Sequence, residues 1–185
     1  GMLEPGADYC LIESAYGDRL HEDAGERSNR LEDIIEETVR AGGTLVIPAF
    51  AMERAQKLLF IINELVENGR IPQIPVFIDS PLAIKLTAVY KWHEQYFNKA
   101  AKDILTHDKS LFSFPGLKTA LTTEESKAIN GVPSPKVILA GSGMSQGGRI
   151  VYHEQRYLPD PKSTILFIGY QVAGSLGRLV LDGAE

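Results

Sequence analysis

Short runs of β-branched and aliphatic residues alternate along this chain with longer stretches in which apolar residues recur at the spacing of a helix. This alternation is typical of a parallel sheet covered by helices on both faces. The predicted strands are residues 9–12, 44–47, 76–78, 137–140 and 164–168. The sequence therefore predicts an α/β domain of three layers, with a mostly parallel sheet of about five to six strands flanked by helices.

Helix-stop and helix-start residues separate the first three of these strands. The first two predicted helices end at Gly42-Gly43 and at Asn68-Gly69. A third helix is expected to begin after Asp79-Ser80, with Pro81 in its first turn, and to run to about Phe97. Asp-Ser-Pro is a good capping sequence, so Asp79 is interpreted as part of the helix cap.

Residues 98–135 are less regular than the rest of the chain. Two short helices are predicted there, at residues 99–106 and 123–129. We expect the segment to form an irregular helical cap over one edge of the sheet. The aromatic residues just before it, Trp92, Tyr96 and Phe97, are interpreted as packing residues.

A glycine-rich turn follows the fourth predicted strand, in the run KVILAGSGMSQGGR of residues 136–149. Its four glycines are Gly141, Gly143, Gly147 and Gly148. Glycine allows positive φ angles and a close approach of the backbone to a ligand. A helix that starts near Gln146 would point its free N–H groups and its dipole at that ligand, and Arg149 would add a positive charge. The turn therefore predicts a site for a phosphate or a carboxylate.

Ligands of open parallel sheets bind beyond the carboxyl ends of the strands, so the residues that follow each predicted strand carry most weight. Arginines follow four of them: Arg19, Arg54, Arg149 and Arg178. Singly, each is interpreted as a solvated or ion-paired surface residue. Together they predict a basic edge suited to a phosphodiester backbone.

Two further polar residues are placed near this edge. Glu13 follows the first strand with no helix to cap, and a functional and a structural role stay equally open from the residues alone. His153, four residues after Arg149, is within reach of the anion site from one helical turn away, but a packing role is favoured.

Composition limits the classes of function. The 185 residues are 44% hydrophobic, which is typical of one domain, and the net charge of −5 argues against a protein that coats nucleic acid with its whole surface. Cys10 is the only cysteine and the four histidines are scattered, so we expect neither a disulfide framework nor a metal site in this chain. No apolar stretch reaches the length of a membrane span. A cytoplasmic location without a membrane partner is expected.

Five separated motifs resemble, in the same order, the β-CASP domain of the metallo-β-lactamase-fold nucleases, in their prokaryotic RNA-processing branch. The motifs are residues 12–21, 47–51, 78–83, 140–144 and 159–184, so the resemblance covers nearly the whole chain. It implies a Rossmann-like β-CASP domain over residues 1–185 that clamps RNA.

In that family the domain is inserted in a metallo-β-lactamase domain, whose two zinc ions activate the water that attacks an RNA phosphodiester. The zinc-binding His-x-His-x-Asp-His signature is absent from these 185 residues. The resemblance therefore implies a domain excised from a larger hydrolase, a zinc-dependent ribonuclease, whose metallo-β-lactamase domain is its partner. It predicts no cofactor in this chain, zinc in the parent enzyme, and no hydrolysis by the chain alone.

The resemblance also implies roles for individual residues. Glu13 takes the family's first acidic motif position and would orient a histidine that lies beyond Glu185. Single-stranded RNA would be held through its phosphates by the glycine turn, the turn after the fifth strand and the arginines. These residues are Arg19, Gly141, Ser142, Gly143, Met144, Gly147, Gly148, Arg149, Tyr170, Gln171 and Arg178.

Three positions depart from the family pattern: Ala15 replaces a common threonine, Glu53 a frequent glycine, and Tyr152 one of two adjacent histidines. Two other functions also stay open. The same glycine turn would serve a nucleotide- or sugar-phosphate-binding Rossmann-like domain. Alternatively, the strand-end edge would dock another protein domain, which would make the chain a non-catalytic interaction module.

Overall fold

The computed structural model describes residues 6–18, 20, 25–107 and 110–183. Within these residues the strands are β1 (Thr44–Pro48), β2 (Val76–Asp79), β3 (Leu117–Thr119), β4 (Lys136–Ala140) and β5 (Thr164–Ile165). They form one sheet in the order β3-β2-β4-β1-β5, and every pair is parallel. The predicted α/β fold with a mostly parallel sheet is confirmed.

The three central strands end level with one another. In the register of the sheet Pro48 and Asp79 both lie opposite Ala140, the last residues of β1, β2 and β4. Every residue of these three strands is buried, as expected for a parallel sheet covered on both faces. The segments that follow the three strands therefore leave the sheet side by side at its carboxyl edge.

The helices are α1 (Glu26–Ala41), α2 (Arg54–Glu67), α3 (Pro81–Trp92), α4 (Lys99–Leu105), α5 (Thr123–Ala128), α6 (Ile150–Tyr157) and α7 (Leu176–Leu181), with 3₁₀ turns at Glu94–Tyr96 and Ile129–Gly131. Side chains of α1, α2 and α3 pack on one face of the sheet with Leu45 and Ile47. Side chains of α6 and of the second 3₁₀ turn pack on the other face with Val46 and Ile138. These two cores give the three layers.

Several local signals are confirmed. Gly42 ends α1 in the left-handed conformation, with φ of 70°, and the N–H of Gly43 donates to the carbonyl of Thr38 at 3.0 Å. Ser80 caps α3, because its side chain accepts a hydrogen bond from the N–H of Ala83 and Pro81 occupies the first helical position. The two short helices of residues 98–135 are present as α4 and α5.

Other expectations are wrong. Residues 9–12 form no strand, and Tyr9, Leu11 and Ile12 are 89%, 95% and 81% exposed, because no neighbouring strand among the described residues pairs with them. The strand β3 was not predicted, so residues 98–135 supply an edge strand as well as helices. The last strand stops at Ile165 rather than at residue 168.

Two helix ends and two aromatic side chains also differ from expectation. The helix after the glycine turn begins at Ile150 rather than near Gln146, and α3 ends at Trp92. Trp92 and Tyr96 are 75% and 81% exposed and are not packing residues. No helix within the described part of the chain has the length and hydropathy needed to cross a membrane.

Candidate functional site at the carboxyl edge of the sheet

Three segments that follow β1, β2 and β4 surround a groove of about 520 Å³. We call it the loop groove; it is lined by residues 49–51, 79–82, 141–143, 148 and 149. It lies beyond the carboxyl ends of adjacent parallel strands, where ligands of open α/β sheets bind. The sequence-predicted glycine turn forms one wall of it.

Internal hydrogen bonds fix the shape of the glycine turn. The N–H of Ser142 donates to the carbonyl of Gly147 at 3.1 Å, and the N–H of Ile150 donates to that of Gly141 at 2.9 Å. Gly148 has a φ of +75°, and a Cβ atom there would lie 2.5 Å from the carbonyl oxygen of Gly141. Only glycine meets both conditions, so the backbone itself forms this wall.

The aromatic ring of Phe50 lies against the glycine turn. A Cβ atom on Gly143 would lie 2.6 Å from a ring carbon of Phe50, which shows how closely the ring approaches the backbone. Phe50 is nevertheless 44% exposed, and Leu82 on the neighbouring segment is 59% exposed. The loop groove therefore presents mainly apolar surface, bordered by the backbone of the glycine turn.

A buried carboxylate stands behind this wall. Asp79, the last residue of β2, is fully buried and accepts three side-chain hydrogen bonds. Arg149 Nη1 donates to Oδ1 at 2.7 Å, Ser126 Oγ donates to Oδ2 at 2.6 Å, and His153 Nε2 lies 2.7 Å from Oδ2. We call these four residues the Asp79 cluster. It ties β2 to α5 and to the first turn of α6.

The hydrogen bonds decide the charge state of this carboxylate. Burial alone would raise the pKa of Asp79, but the hydrogen bonds from His153, Ser126 and Arg149 together outweigh it and leave the pKa below its usual value. Asp79 is therefore an ionised partner for Arg149. The interpretation of Asp79 as a helix cap is wrong, because Ser80 alone supplies the capping oxygen.

Arg149 is held by the protein from several sides. Besides Asp79, its guanidinium donates to the carbonyls of Ala120 at 2.8 Å and Leu121 at 2.9 Å. The helix α6 starts at Ile150, and the N–H of Ile150 already donates to the carbonyl of Gly141. The predicted anion site, built from free helix N–H groups and the Arg149 charge, is therefore not present in that form. The contact of Arg149 with RNA phosphate stays a prediction; what the structure shows is an anchor for the loop.

A second buried pair supports the turn from below. Ser145 is fully buried with a φ of +58°, and its Oγ donates to Glu154 Oε1 at 2.5 Å. Burial raises the pKa of Glu154 above its usual value, although the hydrogen bond from Ser145 opposes the shift. Sequence reasoning missed this pair. The one available signal was the position of Glu154 on the inward face of α6, next to His153.

The segment after β5 joins the same edge. Gln171 is buried, and its Nε2 donates to the carbonyl of Gly143 at 3.0 Å. The N–H of Gly177 donates to the carbonyl of Met144 at 3.1 Å. The predicted grouping of the glycine turn with Tyr170-Gln171 is therefore found in the structure.

The segment of Glu13 reaches this edge through Tyr16. The N–H of Tyr170 donates to the hydroxyl of Tyr16 at 2.9 Å. Glu13 itself is exposed, and its Oε1 accepts a hydrogen bond from the N–H of Ala15 at 2.6 Å. Its orienting role stays a prediction. Arg19 lies outside the described residues.

The described arginines of the predicted basic edge line two different grooves. Arg149 belongs to the loop groove, whereas Arg54 and Arg178 line a second groove of about 660 Å³ between α1, α2, residues 166–171 and α7. Arg54 lies 3.6 Å from Glu53, and Arg178 Nε donates to Asp182 at 2.8 Å. We call this second groove the basic groove.

The residues that the structure describes do not fit the zinc that the resemblance implies for the parent enzyme. Within the described ranges, no three His, Cys, Asp or Glu side chains come together as a metal site requires. Asp79, His153 and Glu154 are instead committed to hydrogen bonds with protein groups. A zinc site would need these side chains to give up those bonds.

Comparison with known proteins adds to this geometry. Residues 55–180 match the model of the family described as Beta-Casp domain. The chain belongs to the β-CASP family. Three relatives illustrate its spread. The chain is 39% identical to Ribonuclease TTHA0252 of Thermus thermophilus, 31% identical to Transcription termination factor FttA of Methanosarcina mazei and 33% identical to Endoribonuclease ysh1 of Schizosaccharomyces pombe.

These matches cover almost all of the β-CASP chain but a minor part of each relative. They span 97%, 97% and 95% of this chain, and 41%, 28% and 23% of the respective relatives. The resemblance predicted from the five motifs is confirmed. The activities in the relatives' names belong to proteins more than twice as long as this one.

Proposed function

We propose that this chain is the RNA-binding domain of a zinc-dependent ribonuclease and that the loop groove holds the RNA strand. The observation that carries the proposal is a hydrogen-bonded glycine wall beside Phe50 and Leu82 at the carboxyl edge of the sheet, in a chain of the β-CASP family. Two relatives are named ribonuclease and endoribonuclease, which supports RNA as the ligand.

Three features of the groove suit a nucleotide: its volume, its glycine backbone and the exposed ring of Phe50. Its volume of about 520 Å³ is in the range of small-ligand sites. Glycine backbone lets a phosphate approach closely, and the exposed ring of Phe50 offers a surface on which a base can stack. In this proposal Arg149 keeps the wall in position through the Asp79 cluster, and the ligand is recognised by the wall.

The catalytic metal belongs, in this proposal, to a metallo-β-lactamase domain of the same parent chain in the cytoplasm. The apolar side chains of residues 9–12 are exposed here, and such a segment is suited to joining a sheet of that second domain. Glu13 would then stand at the end of an added strand, where it can orient a histidine of the parent enzyme. Zinc in the parent enzyme would supply an activated water for phosphodiester hydrolysis.

A charge placed in the groove tests the binding site. Leu82→Glu puts a carboxylate on the groove wall, whereas Val89→Glu puts the same charge on the same helix outside the groove; the two side chains are 59% and 42% exposed. Because a carboxylate repels phosphate, Leu82→Glu should weaken binding of a fluorescent single-stranded oligoribonucleotide by roughly tenfold. Val89→Glu should leave the affinity within about twofold of the unmodified chain. Equal losses in both variants would contradict the proposal.

The assignment of catalysis to another domain has its own test. The purified chain is mixed with labelled RNA and added zinc, and the products are separated by size. We expect no cleavage. Cleavage that copurifies with the chain through successive columns and disappears in a Leu82→Glu preparation would overturn this assignment.

The size of the loop groove also favours a second candidate function, in which the chain binds a mononucleotide or a sugar phosphate. A thermal-shift titration separates the two. Stabilisation by a mononucleotide equal to that by an oligoribonucleotide favours the small ligand, and stabilisation that grows with strand length favours RNA.

A further inference from the structure

The basic groove concentrates positive charge in a chain whose net charge is −5. Its cationic side chains come from three helices: Arg27 and Arg30 from α1, Arg54 and Lys57 from α2, and Arg178 from α7. Among the described residues that line it there is no aspartate or glutamate. The floor is apolar, with Leu31 and Leu58 among its residues. A low-dielectric floor beneath same-sign charges strengthens their attraction for an anion.

The arginines of the groove have interaction partners, Arg27 and Arg30 included. Two ion pairs with carboxylates lie just outside the groove. The Arg54–Glu53 pair measures 3.6 Å, and the Arg178–Asp182 pair measures 2.8 Å within one turn of α7. Both pairs are solvent-exposed, with side-chain exposures of 39% and 70% in the first and 43% and 52% in the second. Exposed pairs of this kind stabilise a protein little, so a phosphate can replace the carboxylate at small cost.

The basic groove and the loop groove adjoin at Gln171. Tyr170 and Gln171 line the basic groove, and Gln171 Nε2 donates to Gly143, which lines the loop groove. The rings of Tyr16 and Tyr170 meet edge to face at 6.0 Å between centroids at this junction. A strand that extended from the loop groove across this junction would pass the ring of Tyr170 before it reached the five cations.

We propose that the basic groove is a second RNA subsite, which holds the phosphates of nucleotides adjacent to those in the loop groove. The proposal rests on the proposed function, because it takes the ligand to be the same RNA strand. Cations contact phosphates without reading bases, and tyrosine stacks on any base. The subsite should therefore make RNA affinity depend on strand length and on salt concentration, and not on base sequence.

The test uses two double variants of the 185-residue chain with equal reductions in positive charge. Arg30→Gln with Lys57→Gln removes two groove cations from exposed positions on α1 and α2. The control, Arg40→Gln with Lys91→Gln, removes one arginine and one lysine from exposed helical positions outside the groove. Gln has nearly the helix propensity of Arg and Lys, so both proteins should fold. Affinities for a dinucleotide and an octanucleotide of RNA are measured over a series of salt concentrations.

We expect the groove variant to bind the octanucleotide roughly tenfold more weakly than the control does, with a salt slope shallower by about 0.7 for each phosphate that is no longer neutralised. The dinucleotide, which the proposed function places in the loop groove, should bind both variants equally. Equal affinity of groove variant and control for the octanucleotide overturns the second subsite. If Leu82→Glu still weakens binding of the dinucleotide in that case, the proposed function stands. If Leu82→Glu changes neither ligand, or the unmodified chain binds neither, the proposed function fails and the subsite with it.

Discussion

Arg149 and Arg54 follow neighbouring strands of the same sheet, yet the structure uses them in different ways. Arg149 donates to buried Asp79 and to two carbonyls, and its side chain is 21% exposed. Arg54 has an exposed carboxylate 3.6 Å away and lines an open groove. The loop groove thus uses its arginine to hold its own scaffold, whereas the basic groove leaves its charges at the surface. An arginine that follows a strand in the sequence is expected at the carboxyl edge of the sheet. The hydrogen-bond acceptors around its side chain then decide whether it is available to a ligand.

The largest expected effect separates these two arginines. Arg149→Met leaves the charge of buried Asp79 without its arginine partner, and breaking such a pair should lower the free energy of unfolding by about 3 kcal/mol at neutral pH. Arg54→Met breaks only an exposed pair and should cost less than about 0.5 kcal/mol. Chemical denaturation of both variants measures the difference. Equal losses would mean that the Asp79 cluster does not hold the loop.

The pH dependence sharpens this prediction. The folded-state pKa of Asp79 is lowered, so its contribution to stability is present above the unfolded-state pKa of about 3.9 and is lost as the pH falls through the folded-state value. The cost of Arg149→Met should therefore shrink below about pH 4. A cost that stays constant down to the acid transition would contradict the assignment of an ionised Asp79.

The walls of the two grooves should differ in their tolerance of a methyl group. Gly148→Ala combines a φ of +75° with a Cβ atom 2.5 Å from the carbonyl of Gly141, and we expect a loss of about 2 kcal/mol. Gly169→Ala lies on the basic groove, where an added Cβ meets nothing within 4 Å, and should change stability by less than about 0.5 kcal/mol. Thermal unfolding of the pair gives the comparison, and a tolerated Gly148→Ala would show that the wall is not rigid.

Glu53 stands where the resemblance expects a glycine, and its backbone conformation is one that favours glycine. Its φ of 66° and ψ of −56°, with the N–H of Arg54 donating to the carbonyl of Met52 at 2.8 Å, form a γ-turn at the start of α2. Non-glycine residues are strained there, so Glu53→Gly should raise the free energy of unfolding by about 1 kcal/mol. The matched change Glu36→Gly, at an exposed position inside α1, should lower it by about 1 kcal/mol. A destabilised Glu53→Gly would contradict the turn geometry.

The smallest effect is expected at the buried carboxylate beneath the loop. The pKa of Glu154 is raised by burial, so its favourable contribution is complete below the unfolded-state pKa of about 4.3 and is lost as the pH rises through the folded-state value. Glu154→Gln keeps an oxygen that can accept from Ser145 and removes the buried charge. The variant should match the unmodified chain at acid pH and become the more stable of the two as the pH rises. A stability difference of opposite sign, or one without pH dependence, would contradict the raised pKa.

Local patterns were sufficient for much of the fold. The central strands are apolar because both faces of the sheet are covered, and α1, α2 and α3 are bounded by glycine, asparagine and proline signals. The strand β3 could not be found in this way, because Lys118 and Thr119 lie exposed at the sheet edge and carry no apolar run. Residues 9–12 have the pattern of a strand but no pairing partner among the described residues.

The sequence predicts which segments meet at the carboxyl edge of the sheet, but it does not predict their hydrogen-bond partners. The glycine turn and the Tyr170-Gln171 turn meet as their places after β4 and β5 require. The partners of Asp79 could not be predicted, because Arg149 and His153 are 70 and 74 residues away along the chain. The capping preference of Asp-Ser-Pro assigns Asp79 to the start of α3, but Ser80 provides the cap of that helix.

The most direct test of the loop groove as the RNA site is an NMR titration of the isotope-labelled chain with a dinucleotide of RNA. We expect the amide signals of Phe50, Gly141, Gly147 and Gly148 to shift together and to give one dissociation constant, while those near Trp92 and Tyr96 stay unchanged. Saturable binding that leaves the glycine-turn signals in place and moves signals elsewhere would show that the strand is held by a different surface.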